Sequence, residues 1–68
     1  MKFYAYKPRK DGSEPMGTEG RLLYELKTIL GATRHAIRIL GGHCRIFRYT
    51  NFYDDSTFHR IYPDFTKP

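Results

Sequence analysis

Three histidines and one cysteine are the side chains of this chain with the widest chemical potential. His43 and Cys44 are adjacent, whereas His35 and His59 stand apart from them in sequence. A structural zinc site takes four ligands, usually supplied as close pairs such as Cys-x₂-Cys or His-x₃-His, and this spacing does not provide them. We therefore predict no metal site and no cofactor, and we expect Cys44 to be a small packing residue in a strand.

Residues near the C-terminal end could act on phosphates. His59 can exchange protons near neutral pH, and Arg48 and Arg60 could stabilise the charge of a phosphorane. A small ribonuclease is therefore one alternative, although nothing in the spacing requires it. Asp54 and Asp55 are more typical of a turn, where Asp side chains bond to their own backbone. We expect the protein not to be an enzyme.

Length, charge and cysteine content limit the class of protein. The chain has 68 residues, with 12 Lys and Arg against 7 Asp and Glu, so its formal charge is +5 at pH 7. A chain this short has little core to spare for a deep catalytic cleft, and a basic one attracts nucleic acid. It has no apolar run long enough to span a membrane, no apolar leader after Met1 and only one cysteine. We expect a soluble, cytoplasmic binding protein with no membrane partner.

The strongest local signal is an apolar stripe between Arg21 and Leu40. Its members recur at steps of three and four residues, the spacing of one helical face: Leu22, Leu26, Ile29, Leu30, Thr33, Ala36, Ile37 and Leu40. The stripe predicts one long amphipathic helix, capped by Thr18 and stopped at Gly41-Gly42.

The face of this helix opposite the stripe is basic and carries no carboxylate. Its cationic residues are Lys27, Arg34 and Arg38. Such a face is typical either of a solvated surface or of one that contacts phosphates. The alternative for residues 26–40 is a helix-turn-helix, with Gly31 in the turn, Thr33 capping the second helix and the following hairpin as a wing. The unbroken stripe favours the single helix.

A short strand precedes this helix and a hairpin follows it. Residues 2–7 are aromatic and end at Pro8, and residues 44–50 and 57–62 alternate with a period of two. The order strand, helix, strand, strand predicts an α+β fold with one helix packed on one face of a three-stranded sheet. We expect residues 1–68 to form a single domain.

Two segments fall outside these elements. Residues 8–20 are rich in Gly and Pro, have no apolar periodicity and are predicted to be a mobile loop. Residues 64–68 follow Pro63 and are predicted to be a C-terminal tail.

One helix can cover only one face of such a sheet. Side chains alternate between the two faces along each strand, yet large side chains occur at both the odd and the even positions. The parity that we favour places Phe3, Ala5, Phe47, Tyr49 and Ile61 beneath the helix. The other face would then be uncovered and rich in rings and guanidinium groups: Tyr4, Tyr6, Ile46, Arg48, Phe58, Arg60 and Tyr62. Contiguous patches of this kind mark interaction sites. A bulge would reverse the parity, and a sheet-to-sheet dimer or a tail folded back around Phe65 would cover the patch.

These features predict a non-enzymatic domain that binds nucleic acid, either DNA or RNA. The rings expected to stack on bases or pack against the ligand are Tyr4, Tyr6, Phe58 and Tyr62. The side chains expected to contact phosphate are Lys27, Arg34, Arg38, Arg48 and Arg60. The alternative is a protein-interaction module or small inhibitor that docks the same ring-rich face on a larger protein, with a homodimer as a variant.

Overall fold

The computed structural model describes residues 1–61, so Tyr62, Pro63, Phe65 and the predicted tail lie outside the described residues. The helices and strands of this part of the chain are β1 (Lys2–Tyr6), β2 (Arg21–Glu25), α1 (Ile29–Leu40), β3 (Arg45–Tyr49), a short 3₁₀-helix (Asp55–Thr57) and β4 (His59–Ile61). None of these helices is long and apolar enough to cross a membrane.

The strands form one antiparallel sheet in the order β2-β1-β3-β4. β1 is therefore an inner strand, with Phe3 opposite Tyr24 of β2 and Arg48 of β3. The predicted α+β class is confirmed. The predicted three-stranded sheet is wrong, because the segment that forms β2 was expected to be helical.

The start of the helix differs from the prediction because residues 21–26 fit two periods. Leu22 and Leu26 belong to the helical stripe, but with Tyr24 they also alternate as a strand does. In the folded chain Leu22, Tyr24 and Leu26 all pack against the core. Pairing with β1 gives the backbone of β2 its hydrogen-bond partners, so the strand is the form that the sheet selects.

Helix α1 is capped by Thr28, whose extended backbone precedes the helix and whose hydroxyl accepts a hydrogen bond from Gly31 N at 3.0 Å. The predicted cap at Thr18 is wrong, since Thr18 precedes β2. The predicted stop at Gly41 is confirmed: its φ is 85° and its N–H donates to Ile37 O at 2.8 Å.

The helix-turn-helix alternative is wrong. Helix α1 runs unbroken from Ile29 to Leu40, and Gly31 lies in its first turn. Thr33 is buried within the helix, where its hydroxyl donates to Ile29 O at 2.8 Å, so it caps no second helix.

The core lies between α1 and the sheet. Its buried members are Phe3, Ala5, Ala32, Ala36, Cys44 and Ile46, and partly buried residues around them include Leu22, Tyr24, Leu26, Ile37, Leu40 and Ile61. Ala32 and Ala36 present small side chains to the sheet and are fully buried, which allows close packing of the helix. The predicted positions of Phe3, Ala5 and Ile61 on this side are confirmed.

The alternation of side chains in β3 is the reverse of the prediction. Ile46 lies opposite Ala5 of β1 and is fully buried beneath the helix. Phe47 and Tyr49 therefore lie on the other face of the sheet, and Arg48 lies on the helix side. A shift of one residue in strand register exchanges the two faces, and the turn residues in the long connection between β3 and β4 did not fix that register.

Candidate functional site

The face of the sheet opposite α1 is covered by aromatic rings. The six residues of this ring cluster are Tyr4, Tyr6, Phe47, Tyr49, Phe52 and Phe58. Tyr4 and Tyr6 are only 6% and 8% exposed, so the expectation that their rings are uncovered is wrong, and only small parts of them reach the open face. The connection between β3 and β4 covers them, with Phe52 and Phe58 meeting the Tyr4 ring edge-on at 6.0 and 6.2 Å.

The hydroxyl of Tyr4 belongs to a charged network at the edge of the ring cluster. It donates to the Glu14 carboxylate and accepts from Arg21 Nε at 2.6 Å, and Arg21 also pairs with Glu14 at 3.2 Å. The pKa of Tyr4 is raised from 10.0 to about 12, chiefly by burial and also by the hydrogen bond and charge of Glu14, whereas Arg21 opposes the shift.

The same network anchors the loop of residues 8–20. Besides Glu14, the loop is held by Arg45 Nη1, which donates to Gly12 O at 2.8 Å, and by Lys7 N, which donates to Gly20 O at 2.8 Å. These contacts place the loop beside the rings of β1. Its predicted mobility stays a prediction.

An open pocket of about 370 Å³ lies among the rings. Five rings and three charged side chains line this ring pocket: Tyr4, Tyr6, Phe47, Phe52, Phe58, Glu14, Arg21 and Asp55. It is the open part of the aromatic face, and the small exposed parts of Tyr4 and Tyr6 lie in it.

A larger concavity of about 660 Å³ lies beside β3 and β4 and reaches the start of α1. The residues of this basic groove are Ile29, Arg48, Tyr49, Thr50, Ser56, Thr57, His59, Arg60 and Ile61. Arg48 and His59 are paired across β3 and β4 and are exposed, as is Arg60. Within the part of the chain that the structure describes, no carboxylate lines this groove.

Exposed apolar side chains adjoin the basic groove. Tyr53 is 95% exposed, Leu23 is 55% exposed and Phe52 is 39% exposed, and all three line one shallow concavity of about 420 Å³. Tyr49 and Thr50 line both this concavity and the basic groove. A ligand could therefore contact the guanidinium groups and the Tyr53 ring together.

The cations expected to contact phosphate do not all lie together. Arg48 and Arg60 line the basic groove, although they point to opposite faces of the sheet rather than to one. Arg34 and Arg38 are exposed on α1, and Lys27 is exposed before the helix rather than within it. None of these last three residues lines the basic groove.

The ring residues expected at the interface also separate. Phe58 is half-buried in the ring cluster, where it stacks on Tyr49 at 4.9 Å, and Tyr62 lies outside the described residues. Sequence reasoning missed Phe52 and Tyr53 as exposed rings. Two adjacent rings inside a polar turn were the available signal, because a turn gives them no core to enter.

Among the described residues, the side chains considered from the sequence for metal binding or thiol chemistry do not lie together in one site. Among residues 1–61, no group of three or more His, Cys, Asp or Glu side chains could hold a metal ion. His35 instead contacts the Tyr24 ring at 5.2 Å and lies 3.0 Å from Arg38 Nη2. Cys44 is buried just before β3, and burial raises the pKa of its thiol, which suits a packing role.

Comparisons with protein-family models, with curated proteins and with solved structures find no match to this chain.

Proposed function

We propose that this protein binds single-stranded nucleic acid and that the basic groove contacts the phosphates. The observation that carries the proposal is the composition of the groove: its ionisable groups include Arg48, His59 and Arg60, and no carboxylate of the described chain lines it. Guanidinium groups suit phosphates because their planar donors can bond two oxygens at once. The formal charge of +5 supports the same partner.

Tyr53 takes the stacking role that the sequence had given to Tyr4 and Tyr6. Its ring is 95% exposed and adjoins the groove through Tyr49 and Thr50. An aromatic ring stacks only on bases that are not already stacked in a duplex, which favours a single strand. Lys27, Arg34 and Arg38 lie outside the groove lining and would add long-range attraction.

The test is an anisotropy titration of the whole chain with labelled single-stranded and duplex oligonucleotides at two salt concentrations. We expect single strands to bind more tightly and binding to weaken as salt rises, because phosphate contacts release counterions. Arg48→Gln should weaken binding and reduce the salt slope by about one. Tyr53→Ala should weaken single-strand binding by about 1–3 kcal/mol.

Arg9→Gln is the matched control. It removes the same charge from the exposed loop of residues 8–20, where Arg9 Nε bonds the Ser13 hydroxyl at 3.0 Å. Equal losses for Arg9→Gln and Arg48→Gln would mean that only net charge matters, and the proposal would fail. RNA should remain intact during the titration; cleavage that depends on His59 would replace this proposal with the ribonuclease alternative.

A second candidate is a protein-interaction module, favoured by the exposed apolar side chains of Leu23, Phe52 and Tyr53 on one concavity. Leu23→Ser separates the two functions, because leucine adds nothing to phosphate binding. Loss of a nuclease-resistant partner in this variant, with oligonucleotide binding unchanged, would support the module. Sedimentation of the whole chain with and without the substitution tests the homodimer form.

A further inference from the structure

The rings of the ring pocket are arranged as a floor with walls. Tyr4, Tyr6 and Phe47 form the floor, where Phe47 is inclined by 30° to Tyr4 and by 22° to Tyr6. Phe52 and Phe58 stand nearly perpendicular to Tyr4, at 83° and 88°. Rings inclined at such different angles can contact a compact group from several directions.

The charges around these rings are unlike those of the rest of the molecule. Glu14 and Asp55 are carboxylates, and Arg21 is the one cation among the described residues that line the pocket. The lining therefore has one net negative charge, within a chain whose formal charge is +5. Both this charge and the negative faces of the rings favour a positive occupant.

The rings of the floor already interact with cations. The guanidinium carbon of Arg21 lies 5.4 Å from the Tyr4 centroid, and that of Arg45 lies 6.0 Å from the Tyr6 centroid. Both distances are within the range in which a cation is attracted by the ring quadrupole.

The hydrogen-bonding groups favour a cation that does not need acceptors. Glu14 is already bonded to Tyr4 and paired with Arg21 through Oε1, and the faces of the five rings in the lining offer no acceptor to the three N–H groups of a primary ammonium. A primary ammonium is strongly hydrated and would lose much of that hydration among rings. A methylated ammonium keeps its charge, presents apolar methyl groups and needs no acceptor.

We propose that the ring pocket binds a trimethylammonium group, held by the aromatic rings that line it and by the charge of Asp55. The volume of about 370 Å³ is at the small end of the roughly 300–1,000 Å³ of small-molecule sites, which suits a compact group. The ligand is either a free quaternary ammonium compound or a trimethylated lysine side chain. This site is separate from the basic groove and does not depend on nucleic-acid binding.

The test is a titration of the whole chain, followed by amide chemical shifts, with three probes. The probes are choline, its neutral isostere with a tert-butyl group in place of trimethylammonium, and acetyl-trimethyllysine amide. We expect choline to shift amides around Phe52, Asp55 and Phe58 and to bind at least about tenfold more tightly than the isostere. Tighter binding of the lysine probe than of choline would identify a protein side chain as the source, and the reverse order would identify a small molecule.

Two pairs of variants make the test specific. Asp55→Asn should weaken choline binding about three- to tenfold, whereas Asp54→Asn should not, because Asp54 is outside the pocket lining and an Asn there can still accept from Ser56 N. Phe52→Leu should weaken binding through loss of the ring, and Phe52→Tyr, which keeps the ring, should bind choline about as tightly as the unchanged chain.

Two results would overturn the proposal. Equal affinity for choline and the isostere would mean that the pocket recognises only shape and apolar surface. Equal losses in Asp54→Asn and Asp55→Asn would mean that the pocket charge has no specific role. Oligonucleotide binding by the same samples reports separately on the basic groove, so failure of one proposal is distinguishable from failure of the other.

Discussion

At the scale of single residues, two tyrosines are held neutral by their surroundings. Tyr4 is buried among rings with its hydroxyl on Glu14, and Tyr24 packs against the core with its hydroxyl donating to Ala32 O at 2.8 Å. The pKa of each is raised from 10.0 to about 12; burial is the largest cause in both, and Glu14 contributes to the shift at Tyr4. The folded chain therefore holds these phenolic protons more tightly than the unfolded chain does.

We predict a loss of stability in strong alkali that depends on these two residues. A raised folded-state pKa contributes stability that is fully present below pH 10.0, the ordinary pKa, and is lost as pH rises through about 12. The free energy of unfolding, measured with denaturant at intervals across this range, should fall less steeply in Tyr4→Phe and in Tyr24→Phe. A slope equal to that of the unchanged chain in both variants would contradict the prediction.

Tyr4 also shows where residue-level inference from sequence stops. Alternation with Phe3 and Ala5 correctly placed Tyr4 on the face away from the helix. It could not reveal that Phe52, from a segment with the composition of a turn, would cover that ring. Burial by a loop depends on how the loop folds back, which no local periodicity encodes.

At the scale of elements, the long predicted helix shows how two periods can share the same residues. Leu22 and Leu26 satisfy a helical stripe and a strand alternation equally well, so local pattern alone could not separate β2 from α1. The strand forms because β1 offers it a partner, and that contact is distant in sequence. The stop at Gly41 could be predicted, since the positive φ that it adopts is a local preference of glycine.

We predict that Thr28→Ala costs about 0.5–2 kcal/mol of unfolding free energy through loss of the helix cap. Thr18→Ala is the matched control, because the exposed Thr18 lies before β2, and it should change stability by no more than about 0.5 kcal/mol. Denaturant unfolding of both variants measures the difference. A larger loss at Thr18 would mean that the helix begins earlier in the chain.

Gly31 gives a second prediction, which is coupled to the first. A Cβ built at Gly31 would lie 2.9 Å from Thr28 Oγ1, so Gly31→Ala should displace the capping hydroxyl and offset its own gain in helix propensity. With Thr28 already alanine, that clash with the hydroxyl is gone and Gly31→Ala should stabilise the chain by about 0.5–1 kcal/mol. A double-mutant cycle measures the coupling, and strictly additive effects would contradict it.

At the scale of the whole molecule, the sheet carries a different layer on each side. Helix α1 packs with small alanines against one face, and rings from the strands and from the connection before β4 fill the other. Composition and periodicity were enough to predict the α+β class. The sheet order and the second layer were not predictable, because both depend on pairings between distant segments.

We predict that the amides of β1 exchange with solvent most slowly. This strand is paired on both sides, and its residues Phe3 and Ala5 are fully buried, whereas β4 is short and pairs with β3 at one end of the described sheet. Protection in β1 should approach the free energy of global unfolding, and protection in β4 should be lower. Native-state hydrogen exchange measures both, and equal protection would contradict the prediction.

The central position of β1 has a consequence for how the chain is made. During synthesis β1 emerges before β2 and can pair with it once both are outside the ribosome, but its other edge has no partner until β3 has also left. Until Arg45–Tyr49 have emerged, the nascent chain exposes an open strand edge beside the rings of Tyr4 and Tyr6. The speed of translation across α1 would then set how long this unpaired strand edge can pair with neighbouring chains.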